Sequence, residues 1–96
     1  MYVITVDFVV KPQFKEVFLA AMKKQAHDSL TQEENCTQFD VCLNAEDPNH
    51  VFLYEIYSTQ ADFQDHLESV HFKKFSEAVA SWVESKTVKR FSLIAS

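Results

Sequence analysis

Glu55 is the residue whose surroundings most strongly suggest chemistry. It lies in the run of residues 51–57, in which all the remaining side chains are apolar or aromatic. An ionised carboxylate is costly to bury unless it is paired, and burial raises its pKa. A carboxylate tuned in this way is a good general base near neutral pH. We therefore predict that Glu55 abstracts a proton from a substrate; the alternative is a strand-edge glutamate that faces water or pairs with a lysine.

Three histidines and one aspartate are further catalytic candidates. His66 and His71 lie on either side of a break in a helical region, and a kinked segment could point one of them into a cavity. Their spacing of five residues does not place both on one helix face, so it is not a zinc-binding HExxH pair, and we predict no metal site. His27 falls near the edge of an apolar helical stripe, and Asp40 alternates with apolar strand residues. Surface, capping or paired roles are the alternatives for all four.

The elements that must position these residues follow from apolar periodicity and turn signals. Alternating or β-branched runs predict strands over residues 2–10, 37–43, 51–57 and 87–94. Helical spacing of Phe14, Val17, Phe18, Ala21, Met22, Ala26 and Leu30 predicts a helix over residues 12–32 with these side chains inward. Thr59, followed by Asp62, is typical of a helix start, and a break near Val70 divides the second helical region in two.

The resulting order is strand, helix, strand, strand, helix pair, strand. It predicts one α+β domain over residues 1–96 with the ferredoxin-like βαββαβ fold. In this topology the helices cover one face of the sheet and leave the other bare. The bare face should be partly apolar, through Val51 and Leu53 or through the residues that alternate with them. A bare apolar face predicts a partner, and the commonest partner is an identical copy, so we expect a homodimer.

Composition and charge exclude several classes of protein. The net charge is −5 and the largest clusters of basic residues are pairs, so we expect no nucleic-acid binding. No apolar run approaches the roughly 20 residues that span a bilayer, and the N-terminus lacks signal-peptide features, so we expect no membrane association and a cytoplasmic location. The chain has no glycine, which excludes GxGxxG and P-loop phosphate sites. Cys36 and Cys42 lie too far apart on one strand for a disulfide.

Several segments together resemble the antibiotic biosynthesis monooxygenase domain. They are Glu33-Glu34-Asn35-Cys36-Thr37-Gln38-Phe39-Asp40-Val41, then Phe52-Leu53-Tyr54-Glu55-Ile56-Tyr57, then Ala61-Asp62-Phe63, His66 and His71-Phe72. The resemblance covers nearly the whole chain. It implies a dimeric α+β barrel with a pocket inside each protomer, between sheet and helices. Members include quinol monooxygenases that use neither metal nor flavin, so no cofactor is expected.

Within that family, the sequence is also similar to the isomerase that processes phosphorylated autoinducer-2. The shared residues are His27, Asp40, Tyr54, Glu55, His66 and His71. Two positions depart from the common pattern, because many members have Trp at position 57 and Pro at position 70. Haem-degrading relatives use an Asn on the first strand, where this chain has Asp7, and a Trp where it has Tyr57, so haem cleavage is not expected.

Three hypotheses follow for function. The favoured one is a cofactor-independent monooxygenase that deprotonates a quinol-like or polyhydroxy small molecule. The second is an isomerase that enolises a phosphorylated sugar derivative, with Lys24, Lys73 or Lys74 holding the phosphate, and the third is a non-catalytic module that binds a small ligand. The predicted catalytic residues are Glu55, His66, His27, Asp40 and His71, and the predicted substrate-binding residues are Phe39, Tyr54, Tyr57 and Phe72.

Overall fold

The computed structural model describes residues 1–96 and contains four strands and three α-helices. The strands are β1 (Tyr2–Val10), β2 (Cys36–Leu43), β3 (His50–Tyr57) and β4 (Val83–Ser92). The helices are α1 (Lys15–Gln32), α2 (Gln60–Glu68) and α3 (Val70–Val79), with short 3-10 turns at Pro12–Phe14 and Ala80–Trp82. Pro12 opens the first of these turns, where its missing N–H costs nothing.

All four strands form one antiparallel sheet in the order β2-β3-β1-β4. The two central strands are paired so that Ile4 of β1 lies opposite Glu55 of β3 and, on its other side, opposite Arg90 of β4. This order, together with the βαββαβ succession of elements, confirms the predicted α+β ferredoxin-like fold. It leaves β2 and β4 as the two edges of the sheet.

The helices pack on one face of the sheet and enclose the core between the two layers. Alternate side chains of β1 and β3 point into it and meet Phe18 and Met22 of α1. The strand residues of this core are Ile4, Val6, Phe8, Val10, Cys36, Phe39, Val51, Leu53 and Tyr57. Phe52 and Tyr54 alternate with them, so they lie half-buried on the uncovered face. Val51 and Leu53 therefore face the helices, and the partly apolar character of the bare face comes from their alternates.

The buried face of α1 is narrower than predicted. Val17 and Leu30 are 48% and 44% exposed, whereas Gln25, Asp28 and Ser29 are buried. Successive residues of a helix are about 100° apart around its axis. The buried side of α1 is centred on Phe18, Met22, Gln25 and Ser29, and Val17 and Leu30 lie about 100° around the axis from that centre. The polar residues on that side are buried because α3 packs beside α1.

The second helical region begins and breaks close to the predicted positions. The Thr59 side chain accepts a hydrogen bond from the Asp62 N–H and the Asp62 side chain accepts one from the Thr59 N–H, which confirms the predicted capping box. Ser69 has an extended backbone and caps α3 by accepting from the Phe72 N–H, so the chain turns there, one residue before the predicted break.

The last strand differs from the prediction, since it begins four residues earlier, at Val83, and ends at Ser92. Its length follows from β1, with which it pairs from Val10 opposite Val83 to Tyr2 opposite Ser92. The prediction was wrong because residues 83–86 carry few apolar side chains. They are held by backbone pairing at a sheet edge, where hydrophobic alternation is not required.

No residue of the chain has a positive φ, in keeping with the lack of glycine. The β2–β3 turn is instead built by side chains: Asn44 Oδ1 accepts the N–H groups of Glu46 and Asp47 at 2.8 and 2.9 Å. Asp47 Oδ1 accepts the Asn49 N–H at 3.0 Å. Both cysteines are free. None of the helices has the length and apolar character needed to cross a membrane.

Candidate functional site

Glu55 projects from β3 into the space between sheet and helices and is only 3% exposed. Its Oε1 accepts a 2.6 Å hydrogen bond from the Tyr57 hydroxyl, which lies two residues along the strand and therefore on the same side. Burial raises the pKa of Glu55, while the bond from Tyr57 and the electrostatic effects of His66 and Lys86 oppose that rise. Burial and the neighbouring carboxylate also raise the pKa of Tyr57, so its hydroxyl keeps the proton it donates.

His66 is brought to the same cavity by α2. It lies one turn after Phe63 on the buried side of the helix and is 3% exposed. Its ring is surrounded by aromatic rings, with centroid distances of 4.9 Å to Phe72 and 5.3 Å to Tyr57. Nδ1 lies 2.8 Å from Glu33 Oε2 and 3.1 Å from Oε1. A proton on Nδ1, donated to Glu33, leaves a lone pair on Nε2, which is the state a general base requires.

Glu33 also lies against His71, which the turn at Ser69 brings back toward His66. His71 Nε2 is 2.6 Å from Glu33 Oε2, and its Nδ1 is 3.3 Å from Gln25 Oε1. One candidate ligand atom from each of Glu33, His66 and His71 lies within 4.8 Å of the others. The two histidines thus meet at one carboxylate, although they lie on different helices and not on one helix face.

Glu33 was not among the predicted site residues. It is the residue that ends α1, where its N–H still bonds to the Ser29 carbonyl, so it lies outside any periodic pattern. One signal was available: an acidic residue at a helix C-terminus is disfavoured by the helix dipole unless a donor or cation compensates it. The two imidazoles supply that compensation.

A small cavity lies between the sheet and the helices and joins these groups. Free space for water-sized molecules is about 40 Å³, and the whole cleft, including its open mouth, is about 400 Å³. At about 10–15 Å³ per water molecule, the closed part holds roughly three waters. Its lining is mostly apolar and consists of Ile4, Val6, Phe8, Met22, Gln25, Phe39, Leu53, Glu55, Phe63, His66, Leu67, Phe72, Phe75, Lys86 and Val88.

The mouth of the cavity lies between β4 and α3. The exposed Lys86 ammonium stands 5.6 Å from the Phe8 ring centre and 5.8 Å from that of Phe72. Val88, also on β4, is 42% exposed there. Because β4 is an edge strand, no neighbouring strand stands in the way of a ligand entering on this side.

The structure brings together only part of the predicted site. Glu55, His66, Phe39 and Phe72 line the cavity, and Tyr57 lies fully buried behind Glu55. His71 lines a separate open groove of about 500 Å³ between α1 and α3.

Three predicted residues lie elsewhere. Asp40 is exposed and Tyr54 half-buried on the opposite face of the sheet, where the two are paired across β2 and β3. His27 is exposed on α1. The lysines considered for phosphate binding also lie away from the cavity: Lys24 and Lys74 border the groove, and Lys24 is paired with Asp28.

A comparison with protein families identifies the family of the chain. The model of the family described as antibiotic biosynthesis monooxygenase matches residues 1–78. The chain belongs to this family. The resemblance stated from the sequence is therefore confirmed at family level, while the comparison does not select a substrate or a branch. A search of curated proteins found no match.

Solved structures similar to this family member agree over its whole length. A protein from Nitrosomonas europaea, named as a candidate antibiotic biosynthesis monooxygenase, is 30% identical with a TM-score of 0.93, covering 99% of this chain and 100% of its own. A similarly named protein from Deinococcus radiodurans is 13% identical with a TM-score of 0.92, covering 100% and 95%. A third protein, from Pseudomonas aeruginosa, has a name that states no activity; it is 17% identical with a TM-score of 0.90, covering 98% and 94%. The last two show the fold alone.

Proposed function

We propose that this protein is a monooxygenase for a flat, electron-rich hydroxylated aromatic of the quinol type, and that the chemistry needs no bound redox cofactor. The observation that carries the proposal is the pair of buried proton acceptors, Glu55 and His66, on the wall of an aromatic-lined cavity. An apolar cavity with a few converging polar groups is the usual form of a small-molecule site.

The proposed reaction begins with proton transfer from a substrate hydroxyl. His66 is the better-prepared acceptor, because Glu33 can hold its proton on Nδ1 and leave Nε2 free. The substrate anion then supplies all four electrons that reduce O2: one oxygen atom is inserted into a ring C–H bond, and the other leaves as water with the two hydroxyl hydrogens of the quinol, which becomes a hydroxyquinone. Glu55, whose raised pKa lets it carry a proton in the buried site, returns or receives protons during these steps.

Phe39, Phe63 and Phe72 supply the flat apolar surfaces that such a substrate would need. The closed volume of about 40 Å³ is smaller than an aromatic ring, so binding requires the mouth to widen. The side chains that must move are those at the gap between β4 and α3, including Phe72 and Lys86. Expulsion of the waters on binding would strengthen every electrostatic interaction in the site.

Oxygen uptake by chelator-treated protein with a panel of quinols tests the proposal. Uptake is expected for at least one quinol and should fall by about 100-fold or more in His66→Gln or Glu55→Gln. The chain offers matched controls: His27→Gln and Asp40→Asn make the same chemical changes at exposed positions away from the cavity and should leave the rate unchanged. No uptake with any quinol, or equal losses in the control variants, would refute the proposal.

The isomerase is the second candidate, and one observation favours it. Lys86 places a positive charge at the cavity mouth, where it could hold an anionic group while the same two acceptors move a proton beside a carbonyl. Deuterium exchange into a small phospho-ketose, lost in His66→Gln and weakened in Lys86→Met, is its expected signature. If the protein gives neither exchange nor oxygen uptake but binds quinols, the ligand-binding module is the remaining interpretation.

We also propose that the protein works as a homodimer formed through the uncovered face of the sheet. Phe52 and Tyr54 are half-buried on this face, and Phe91 of β4 is 49% exposed there. Large apolar side chains left uncovered on one face of a sheet are typical of an interface. Light scattering should give twice the chain mass, and Phe52→Asp should give the monomer, whereas Val17→Asp on the outer side of α1 should not. A monomeric parent protein would contradict the proposal.

A further inference from the structure

The cluster of Glu33, His66 and His71 contains more than the cavity chemistry requires. His66 alone borders the cavity, while Glu33 and His71 lie behind it at the junction of α1, α2 and α3. A single carboxylate would be enough to orient His66. The second imidazole, on the other side of the same carboxylate oxygen, has no part in that role.

We propose that Glu33, His66 and His71 form a binding site for one divalent transition-metal ion. Two imidazole nitrogens and one carboxylate oxygen are a ligand set that Zn²⁺ and its first-row neighbours favour, whereas Mg²⁺ and Ca²⁺ favour oxygen ligands alone. With three protein ligands, the ion keeps at least one position for water or another ligand. The site goes beyond the proposed function, in which no metal takes part; an ion bound to His66 Nδ1 replaces the proton that the proposed reaction keeps there.

The distances suit such an ion after small side-chain rotations. Glu33 Oε2 is 2.8 Å from His66 Nδ1 and 2.6 Å from His71 Nε2. A metal at about 2.1 Å from each ligand separates them by about 3.0–3.4 Å, so the carboxylate must withdraw by about 0.5 Å. The remaining pair of nitrogens lies within 4.8 Å, so it needs to close by no more than about 1.4 Å to reach the same range.

His71 provides the strongest sign that the cluster awaits a ligand. Its Nε2 is buried, and its contact with Glu33 Oε2, at 2.6 Å, is not aligned for a hydrogen bond, so only the charge of the carboxylate compensates it. Buried polar atoms are rarely left without a hydrogen bond in native proteins. Its other nitrogen, Nδ1, is 3.3 Å from Gln25 Oε1 and can donate to it. A histidine that donates through one nitrogen to an amide or carboxylate and presents a lone pair on the other is the usual arrangement of a metal ligand.

Calorimetric titration of chelator-treated, dialysed protein with ZnCl2 tests the site, because it requires no substrate. One Zn²⁺ per chain is expected. Glu33→Gln, which keeps the shape of the side chain, and His71→Ala should each weaken binding by more than about tenfold, since even outer-shell changes commonly reach that loss. His27→Ala is the matched control and should bind like the parent. Circular dichroism verifies that each variant is folded.

A second measurement uses the unchanged protein. Zn²⁺ should shift the ring ¹⁵N signals of His66 and His71 and leave those of His27 and His50 in place. The proposal is overturned if no saturable binding occurs, if binding survives in Glu33→Gln, or if the ring signals of another histidine shift instead. Oxygen uptake in metal-free protein bears only on the proposed function, so the two proposals can fail separately.

Discussion

Tyr57→Phe is the substitution that most directly tests how the buried carboxylate is tuned. The change removes one hydroxyl, the donor to Glu55 Oε1 at 2.6 Å, and keeps a ring of the same size against Phe63 and His66. The donated bond stabilises the ionised carboxylate. Its loss therefore favours the protonated form, and the pKa of Glu55 in the variant should rise further above its ordinary value.

The size of the effect follows from the type of bond. A hydrogen bond to a charged group contributes about 1.5–3 kcal/mol. Since each 1.36 kcal/mol corresponds to a tenfold change in an equilibrium constant, the ionisation constant of Glu55 should fall by about 10- to 150-fold. Lys86 and His66 lie near Glu55 in both proteins, so their effect on its pKa cancels from this difference.

Infrared difference spectroscopy can measure this titration without a substrate. The carbonyl stretch of the protonated carboxyl group is followed against pH and assigned to Glu55 by its absence in Glu55→Gln. Tyr54→Phe is the control, because it removes the same hydroxyl from the neighbouring position on the other face of β3. A titration in Tyr57→Phe that coincides with that of the control, or one that moves to lower pH, would show that the Tyr57–Glu55 bond does not tune the site.

Three further predictions concern stability, each measured by urea unfolding. Because folding raises the pKa of Glu55, the folded chain binds more protons than the unfolded chain, so this group lowers stability as pH rises from its unfolded pKa of about 4.3 toward its higher folded pKa. Glu55→Gln should remove that part of the slope, so its stability relative to the parent should increase over this rise. Thr59→Ala should cost about 1 kcal/mol by removing the helix cap, whereas Ser58→Ala beside it should not. Phe18→Ala should cost about 3–5 kcal/mol and its half-exposed neighbour Val17→Ala less than about 0.5 kcal/mol; equal losses would show that the buried face of α1 is wrongly assigned.

Most of the fold could be predicted because its strongest local signals agree with one another. Alternation in β1 and β3, the Thr59 cap and the proline before α1 each mark an element independently. The errors lie where backbone pairing or helix geometry decides the outcome. Residues 83–86 join β4 through pairing with β1, and the apolar Val17 and Leu30 flank α1 without entering its buried line. Neither the pairing of β4 with β1 nor the width of the buried face of α1 can be predicted from a local hydrophobic pattern.

The candidate site was less predictable because it depends on contacts between distant elements. Glu55 could be found, since a charged residue in an apolar strand is unusual by itself. The meeting of Glu33 with His66 and His71 depends on the turn angle at Ser69, which no spacing rule gives. The family pattern by residue type also suggested Asp40, Tyr54 and His27. Strand alternation directs Asp40 and Tyr54 to the other face of the sheet, and the position of His27 on α1 directs it to the surface.

The chain contains no glycine and no residue with a left-handed backbone conformation. Every residue already carries a Cβ atom in a conformation that any L-amino acid can adopt. An alanine scan of the non-proline positions would therefore report the loss of side-chain contacts, free of the conformational penalties that complicate such scans elsewhere. The same property reduces the freedom of the unfolded chain, by about 0.4–1 kcal/mol for each position where a relative has glycine in a compatible conformation.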